Sequence, residues 1–166
     1  MLSKQIEKSL NDQISLELES SQYYLAMASW CEKQGYNGIS VFLYKQSDEE
    51  RMHMLKLFHY INDRGGHALV PETAKPKKDF ESISEIFEQV LNHELLVTKE
   101  INNLVEECLK EKDYTTHNFL QWYVAEQIEE EKQARTILDK LKIIGNDKGG
   151  LYMFDRDLAN FSVSVQ

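Results

Sequence analysis

Four glutamates stand at positions where a helical chain should carry apolar side chains. Glu17, Glu50, Glu94 and Glu130 each fall on the inner stripe of a predicted helix, and His53 follows Glu50 by three residues on the same face. A buried carboxylate without a partner costs several kcal/mol, and four at one level would repel one another. No Lys or Arg lies on these stripes at that level to compensate the charge. Multivalent cations are the natural partners, so we expect a metal site in the core.

The same residues recur at a constant separation along the chain. Pairs 77 positions apart are Glu17 with Glu94, Glu50 with Gln127, His53 with Glu130, and Cys31 with Cys108. Residue identity elsewhere at this offset is poor, so the pattern does not indicate a recent sequence repeat. Two helical hairpins related by a pseudo-twofold axis would produce it. Each hairpin would contribute one carboxylate from its first helix and a pair three residues apart from its second.

The composition of this ligand set favours iron, with manganese and zinc as competitors, because it offers many oxygens, one imidazole and no thiolate. Glu49, Glu126 and Glu129 lie at the inner margin of their helices, beside Glu130. A solvated face is the ordinary explanation for these three, and an accessory metal site is the alternative. Tyr24 lies two turns from Glu17 on the same face. It either packs in the core, or hydrogen-bonds a metal ligand or passes an electron.

Four long helices must position these side chains, and apolar periodicity predicts them at about 4–33, 39–64, 83–111 and 115–144. Gly65 and Gly66 end the second helix, and Ser82 with Glu85 forms a capping-box pattern before the third. Between them, HALVPETAKPKKDF lacks helical periodicity and is long enough to run the length of a bundle. A short amphipathic helix follows at about 151–161.

These elements predict an all-α protein with one domain over residues 1–166. Two tight helical hairpins joined by one long crossover between the second and third helices form a ferritin-like four-helix bundle. The short C-terminal fifth helix would need a surface on which to dock, because a helix of that length is marginal alone.

The composition excludes several classes of protein. With 166 residues and a formal net charge of -9, the chain lacks the basic face that a general nucleic-acid binder needs. Two cysteines are too few for a disulfide framework. The polar start MLSKQIEKSL gives no indication of a signal peptide, and no apolar run is long enough to span a membrane. We therefore expect a soluble cytoplasmic protein.

The predicted site resembles the di-iron carboxylate bundles, in which two helices each give one Glu and two others each give Glu-x-x-His. Here the second pair is Gln127-x-x-Glu130 instead. Together with Tyr24 and the short C-terminal helix, this departure resembles the bacterial non-haem ferritins. The resemblance covers essentially the whole chain.

This resemblance implies a ferroxidase centre and a third iron site. One iron of the centre would be held by Glu17, Glu50 and His53. The second, bridged by Glu50, would be held by Glu94 and Glu130 with Gln127 nearby. The third iron site would consist of Glu49, Glu126, Glu129 and Glu130, and Tyr24 would be the tyrosine beside the centre.

The resemblance also implies an activity and an assembly. Paired Fe²⁺ would be oxidised by dioxygen or hydrogen peroxide, and the ferric product would be stored as a hydrated oxide mineral, for iron storage and detoxification. Twenty-four identical subunits would form a hollow shell, with the short helix packed around its fourfold axes.

Three alternatives compete with this interpretation. A bacterioferritin would need a second Glu-x-x-His and a haem-binding methionine directly after Glu50; Arg51 stands there and Met52 is one residue late, so we expect no haem. A soluble di-iron oxidase that never forms mineral would keep the centre without a shell. A structural bundle without metal would leave the inward carboxylates unexplained.

Overall fold

Residues 2–161 are described by a computed structural model that contains five α-helices and, within that range, no strand. They are α1 (Lys4–Lys33), α2 (Asn37–Asp63), α3 (Ile83–Glu111), α4 (Tyr114–Ile144) and α5 (Lys148–Leu158). α1 packs along α2, α3 packs along α4, and α1 also contacts α3. The all-α four-helix bundle with a long crossover and a short fifth helix is thereby confirmed. None of the helices in this range is long and apolar enough to cross a membrane.

Side-chain caps fix where three of the long helices begin. The Ser3 hydroxyl accepts a hydrogen bond from the backbone N–H of Ile6, and Asp113 accepts one from that of Thr116. Ser82 accepts from the N–H of Glu85, as the capping box requires, but the Glu85 carboxylate accepts from the N–H of Glu81 rather than that of Ser82.

α2 begins at Asn37, two residues before the predicted start, because its cap comes from elsewhere in the chain. Tyr36, at the N-cap position, makes no side-chain hydrogen bond to the helix. Instead Oδ1 of Asp155, in α5, accepts from the backbone N–H of Ile39 at 2.9 Å. This contact requires a glycine at position 38, since a Cβ there would lie 1.7 Å from the carbonyl oxygen of Asp155. α5 is therefore locked against the first turn of α2.

α5 lies about three residues earlier in the sequence than predicted. Asp147 accepts hydrogen bonds from the N–H groups of Gly149 and Gly150, so the helix starts at Lys148 and ends at Leu158. Phe161 lies beyond the helix and packs edge-on against Phe42 of α2, with the ring centroids 6.2 Å apart.

The crossover, residues 66–82, runs along α1 and is attached to it near both ends. The Asn11 side chain donates to the carbonyl of His67 and accepts from the N–H of Leu69. At the other end the ring of Phe80 packs edge-on against Trp30, with centroids 5.8 Å apart. Asn11 and Trp30 are separated by about 28 Å of helix. The crossover therefore spans most of the bundle, which makes the two hairpins neighbours with the connectivity predicted.

The core consists of two separate apolar clusters. One contains Tyr24, Cys31, Leu43, Phe87 and Ile137, and the other contains Ile6, Leu57, Ile101, Cys108 and Tyr123, among others. Between them lies a polar layer whose carboxylates are Glu17, Glu50, Glu94 and Glu130, with 1%, 2%, 1% and 8% of their surface exposed. The middle of the bundle therefore contains four buried carboxyl groups in place of apolar side chains.

Candidate metal centre

Three side chains from the first hairpin converge at the centre of the polar layer. Glu17 comes from α1, and Glu50 and His53 lie one turn apart on α2, so both face α1. One ligand atom from each of the three lies within 4.8 Å of the other two. Nδ1 of His53 is 3.3 Å from Oε2 of Glu50 and 3.8 Å from Oε2 of Glu17. This geometry lets one cation contact all three residues.

Oε2 of Glu17 is buried and, among the described residues, has no hydrogen-bond partner. The other oxygen, Oε1, accepts from Nε2 of Gln13 at 2.7 Å, one turn earlier on α1. Gln13 therefore fixes the carboxylate so that its second oxygen faces the imidazole of His53. A buried oxygen without a donor costs free energy, which a bound cation would recover.

Glu94, from α3, is held by two neutral donors. The Tyr24 hydroxyl donates to Oε1 at 2.6 Å, and Nε2 of Gln127 donates to Oε2 at 3.1 Å. Nε2 of Gln127 also lies 3.3 Å from the hydroxyl of Thr98. Each carboxylate oxygen has a further lone pair, so Glu94 can accept both hydrogen bonds and still bind a cation.

Burial and mutual repulsion shift the protonation of these groups. Burial raises the pKa of Glu50 and of Glu94, and the charge of Glu17 raises both further. Burial, followed by the charge of Glu94, raises the pKa of Glu130 to about 8. In the metal-free protein the layer therefore retains protons at neutral pH, which a bound cation would displace.

For His53, interactions with charged neighbours have a larger effect on the pKa than burial has. Burial alone would lower its pKa, but interactions with Glu17 and Glu50 outweigh burial and raise the pKa to about 11. The ring is therefore an imidazolium at neutral pH and partly balances the two carboxylates. Trp122 packs edge-on against the His53 ring with centroids 5.2 Å apart, and its own ring lies 4.2 Å from Nζ of Lys56.

Glu130 lies at the edge of a groove between α2 and α4 with a volume of about 860 Å³. Glu49, Glu126 and Glu129 line the same groove. Glu49 is exposed and the other two are half-buried, and the charges of Glu49 and Glu126 contribute to the raised pKa of Glu130. Oε2 of Glu129 is buried, and within residues 2–161 no donor reaches it. The groove acids are therefore near enough to Glu130 to interact with it.

The predicted site residues fall into two sets, one whose ligand atoms lie close together and one that only lies nearby. Glu17, Glu50 and His53 form the one group of three close ligand atoms in the described part of the chain. Glu94 and Glu130 share the layer with them and are coupled to it by charge, but they do not belong to that close group. The acids of the groove form no such close group either.

Several polar residues at the site were not predicted as functional. Gln13 orients Glu17, Thr98 contacts Gln127, and Gln46 and Gln133 donate to acids of the groove. Gln46 and Gln13 both lie on the inner faces of their helices, and that position was the indication that the sequence offered for them. Thr98 and Gln133 are half-buried and gave none, because a polar side chain near a helix margin is usually solvated.

Comparison with known proteins agrees with this geometry. Residues 7–144 match the family described as "Ferritin: Ferritin-like domain". The chain is 47% identical to a "Probable bacterial non-heme ferritin-like protein" of Haemophilus influenzae, over 99% of this chain and 100% of that protein. It is 44% identical to the "Bacterial non-heme ferritin" of Campylobacter jejuni, over 99% and 98%. An open pore ferritin of Archaeoglobus fulgidus superposes with a TM-score of 0.95 at 42% identity, over 97% of this chain and 98% of that one.

Proposed function

The chain belongs to the ferritin family, and we propose that it is a subunit of a cytoplasmic non-haem ferritin that oxidises Fe²⁺ and stores the ferric product. The observation that carries the proposal is the buried group of Glu17, Glu50 and His53, in which Oε2 of Glu17 has no hydrogen-bond donor within residues 2–161. A cation stabilises an oxygen in that environment, and the three ligand atoms are close enough to share one.

The first ferrous ion binds to Glu17, Glu50 and Nδ1 of His53. In the metal-free protein this nitrogen faces both carboxylates and carries a proton at neutral pH. Fe²⁺ takes the place of that proton, so binding releases it to solvent. Gln13 holds Glu17 in place during the exchange through its hydrogen bond to Oε1.

The second ferrous ion binds to Glu94 and Glu130, with Glu50 as the bridging carboxylate. The raised pKa of Glu130, caused in part by Glu94, supports the closeness of these two acids. Gln127 lies where a histidine would complete a second Glu-x-x-His. Because its Nε2 is used on Glu94, Oε1 is its atom for metal contact.

The two bound Fe²⁺ ions are then oxidised by transferring two electrons to one molecule of oxidant. Each of the two Fe²⁺ ions gives up one electron, and dioxygen accepts the pair with two protons to form hydrogen peroxide. With hydrogen peroxide as the oxidant, the pair and two protons give two water molecules. The anionic oxygens of the centre favour this step because they stabilise Fe³⁺ more than Fe²⁺. Tyr24 keeps Glu94 oriented throughout, since burial and nearby charges raise the pKa of its hydroxyl and keep it a donor.

Ferric ions leave the centre through the groove. There they meet the third iron site, which is formed by Glu49, Glu126, Glu129 and Glu130. The ions then form a hydrated oxide mineral. Oε2 of Glu129, which is buried and which no donor in the described part of the chain reaches, supports this site. Twenty-four copies form the shell that encloses the mineral, with α5 around the fourfold axes. The exposed side chains of Tyr152 and Met153, on the face of α5 away from the bundle, support such packing.

Aerobic loading with Fe²⁺ tests this function, followed by size-exclusion chromatography with iron counted in the protein peak. We expect hundreds of irons or more to elute with a large assembly. Glu17→Ala, Glu50→Ala and His53→Ala should slow oxidation, whereas Glu88→Ala, at an exposed glutamate of α3, should match the wild type.

Each other outcome contradicts a different part of the proposal. About two irons per chain on a small particle would indicate a di-iron oxidase that does not store iron. No retained iron would show that the buried acids do not form a metal centre.

A further inference from the structure

A continuous chain of hydrogen bonds crosses the groove between α2 and α4. Nε2 of Gln46 donates to Oε2 of Glu49 at 2.5 Å. Nε2 of Gln133 donates to Oε1 of Gln46, and it also lies 3.3 Å from Oε2 of Glu130. The order is therefore Glu49, Gln46, Gln133, Glu130. Two of these residues belong to α2 and two to α4.

Gln46 is a polar residue at a buried position, which indicates that its hydrogen bonds have a purpose. Gln46 is 2% exposed and occupies the inner stripe of α2 between Leu43 and Glu50, where an apolar side chain would pack without cost. Its amide nitrogen contacts Glu49 and its amide oxygen contacts Gln133, so both polar ends of the side chain are bonded to the groove network.

The direction of the hydrogen bonds is fixed from the Glu49 end, because the carboxylate there accepts Nε2 of Gln46 and so leaves Oε1 of Gln46 to accept from Gln133. Each carboxylate receives an amide N–H, and turning either amide over would set a carbonyl oxygen against a carboxylate or against the other carbonyl. The chain therefore has one orientation. In it, each amide occupies Oε2 of its carboxylate, so Oε1 of Glu49 and Oε1 of Glu130 can bind a cation.

We propose that Gln46 and Gln133 are positioning residues that hold Glu49 and Glu130 in the geometry needed to bind the third iron. This inference rests on the proposed function. The pair links Glu130, a ligand of the ferroxidase centre, to Glu49, an exposed acid at the groove surface. An iron passing from the centre to the groove therefore meets two carboxylates whose relative position is already set by neutral donors.

Loss of Gln46 or Gln133 should lower metal affinity at the third iron site more than at the site formed by Glu17, Glu50 and His53. Loss of an outer-shell hydrogen bond to a metal ligand typically weakens metal binding about 10–100-fold. Glu49 depends on Gln46 for its one hydrogen bond within the described residues, whereas Glu17 is held by Gln13 of its own helix, α1, which lies outside this chain of hydrogen bonds. A bridge that served only to join α2 to α4 would change thermal stability and leave metal binding intact.

The test is anaerobic calorimetric titration of the metal-free, assembled protein with Zn²⁺, a divalent probe that is not oxidised. The variants are Gln133→Leu, Gln46→Leu and the double variant, each checked for an unchanged helical spectrum. Gln121→Leu is the matched control, because Gln121 is an exposed glutamine of α4 whose hydrogen bonds, among residues 2–161, stay within its own helix and go to His117. Gln133 is half-buried, so its replacement by leucine keeps the variant foldable even if Gln46→Leu fails.

We expect the wild type and the control to bind three ions per chain. In Gln133→Leu the weakest step should lose about 10-fold in affinity while the tightest step changes less than about 3-fold. The double variant should lose less than the product of the two single effects, because either break alone already disconnects Glu49 from Glu130. An unchanged weakest step in folded Gln133→Leu would overturn the inference and leave the proposed function standing.

The number of Zn²⁺ ions that each wild-type chain binds distinguishes failure of this inference from failure of the proposed function. If it binds two ions per chain, the third site and this inference fail together, and the ferroxidase centre survives. If it binds none, the proposed function fails as well.

Discussion

The hydroxyl of Tyr24 donates to Oε1 of Glu94 over 2.6 Å, joining α1 to α3 across the carboxylate layer. Both groups are almost fully buried, and burial followed by the charge of Glu94 raises the pKa of Tyr24 well above its ordinary value. The phenol therefore stays protonated, and Glu94 retains a neutral donor at every pH at which the protein works.

Replacing Tyr24 with phenylalanine tests the importance of this donor. Tyr24→Phe removes one hydroxyl and leaves the ring, so we expect the bundle to form and Glu94 to lose its orientation. The affinity of the second metal ion should fall about 10-fold, and Fe²⁺ oxidation should slow. Zn²⁺ titration and stopped-flow absorbance measure the two effects. Tyr44→Phe is the control, since Tyr44 donates to Glu32 at an exposed site; equal effects of both variants would contradict the prediction.

Trp122 should report occupancy of the first metal position. Its ring lies edge-on to His53 with centroids 5.2 Å apart, so a transition metal on His53 will be close enough to quench its emission. We expect anaerobic Fe²⁺ to quench fluorescence in a Trp30→Phe background, where Trp122 is the one remaining tryptophan. His53→Ala in the same background should abolish the quenching at the first equivalent. Quenching that persists there would place the first ion elsewhere.

The metal-free protein should lose stability as the pH rises from about 5 to about 8. In this window Glu130, with a pKa of about 8, keeps a proton in the folded state that it releases on unfolding. Since the folded state binds more protons, raising the pH favours unfolding, and Glu130→Gln removes this term. Calorimetry should show the variant melting at nearly the wild-type temperature near pH 5 and above it near pH 8.

Glu106→Gln serves as the control for this pH series. Glu106 is exposed and pairs with Lys110 on the surface of α3, so this variant should follow the wild type throughout. If the difference between Glu130→Gln and the wild type stays constant over the series, Glu130 is not protonated in the folded metal-free state.

Substitution of Gly38 should release α5. A Cβ at position 38 would meet the carbonyl of Asp155, so Gly38→Ala forces the two helices apart at a cost of about 1–3 kcal/mol. We expect faster proteolysis at Arg156 and unchanged Zn²⁺ binding at the centre. In Gly149→Ala the added Cβ lies 3.6 Å from its nearest neighbour, so this variant should resist proteolysis as the wild type does. Equal cleavage of the two would mean that the contact with Gly38 does not hold α5.

The residues that break a helical stripe were the most informative part of the sequence. Glu17, Glu50, Glu94 and Glu130 all lie in the interior, because the 3.6-residue period fixes which face a side chain occupies. The same period predicted α1 and α3 with the bounds that the structure has, since local caps mark their starts.

Contacts between distant segments could not be predicted in this way. The carboxylate that caps α2 comes from Asp155, 116 residues after Ile39, and the start of α2 was placed two residues late. Gln46 and Gln133 meet across 87 residues. Periodicity says which face a residue occupies, but not which residue of another helix lies opposite.

The cap that Asp155 provides also bears on the order in which the chain can fold during its synthesis. The whole of α2 leaves the ribosome before Asp155 has been translated, so the first turn of that helix emerges without the acceptor that will satisfy the N–H of Ile39. The N-terminal hairpin can collapse early, but the end of α2 nearest α5 matures last. A segment made much later, α5, thus completes a helix that began more than a hundred residues earlier.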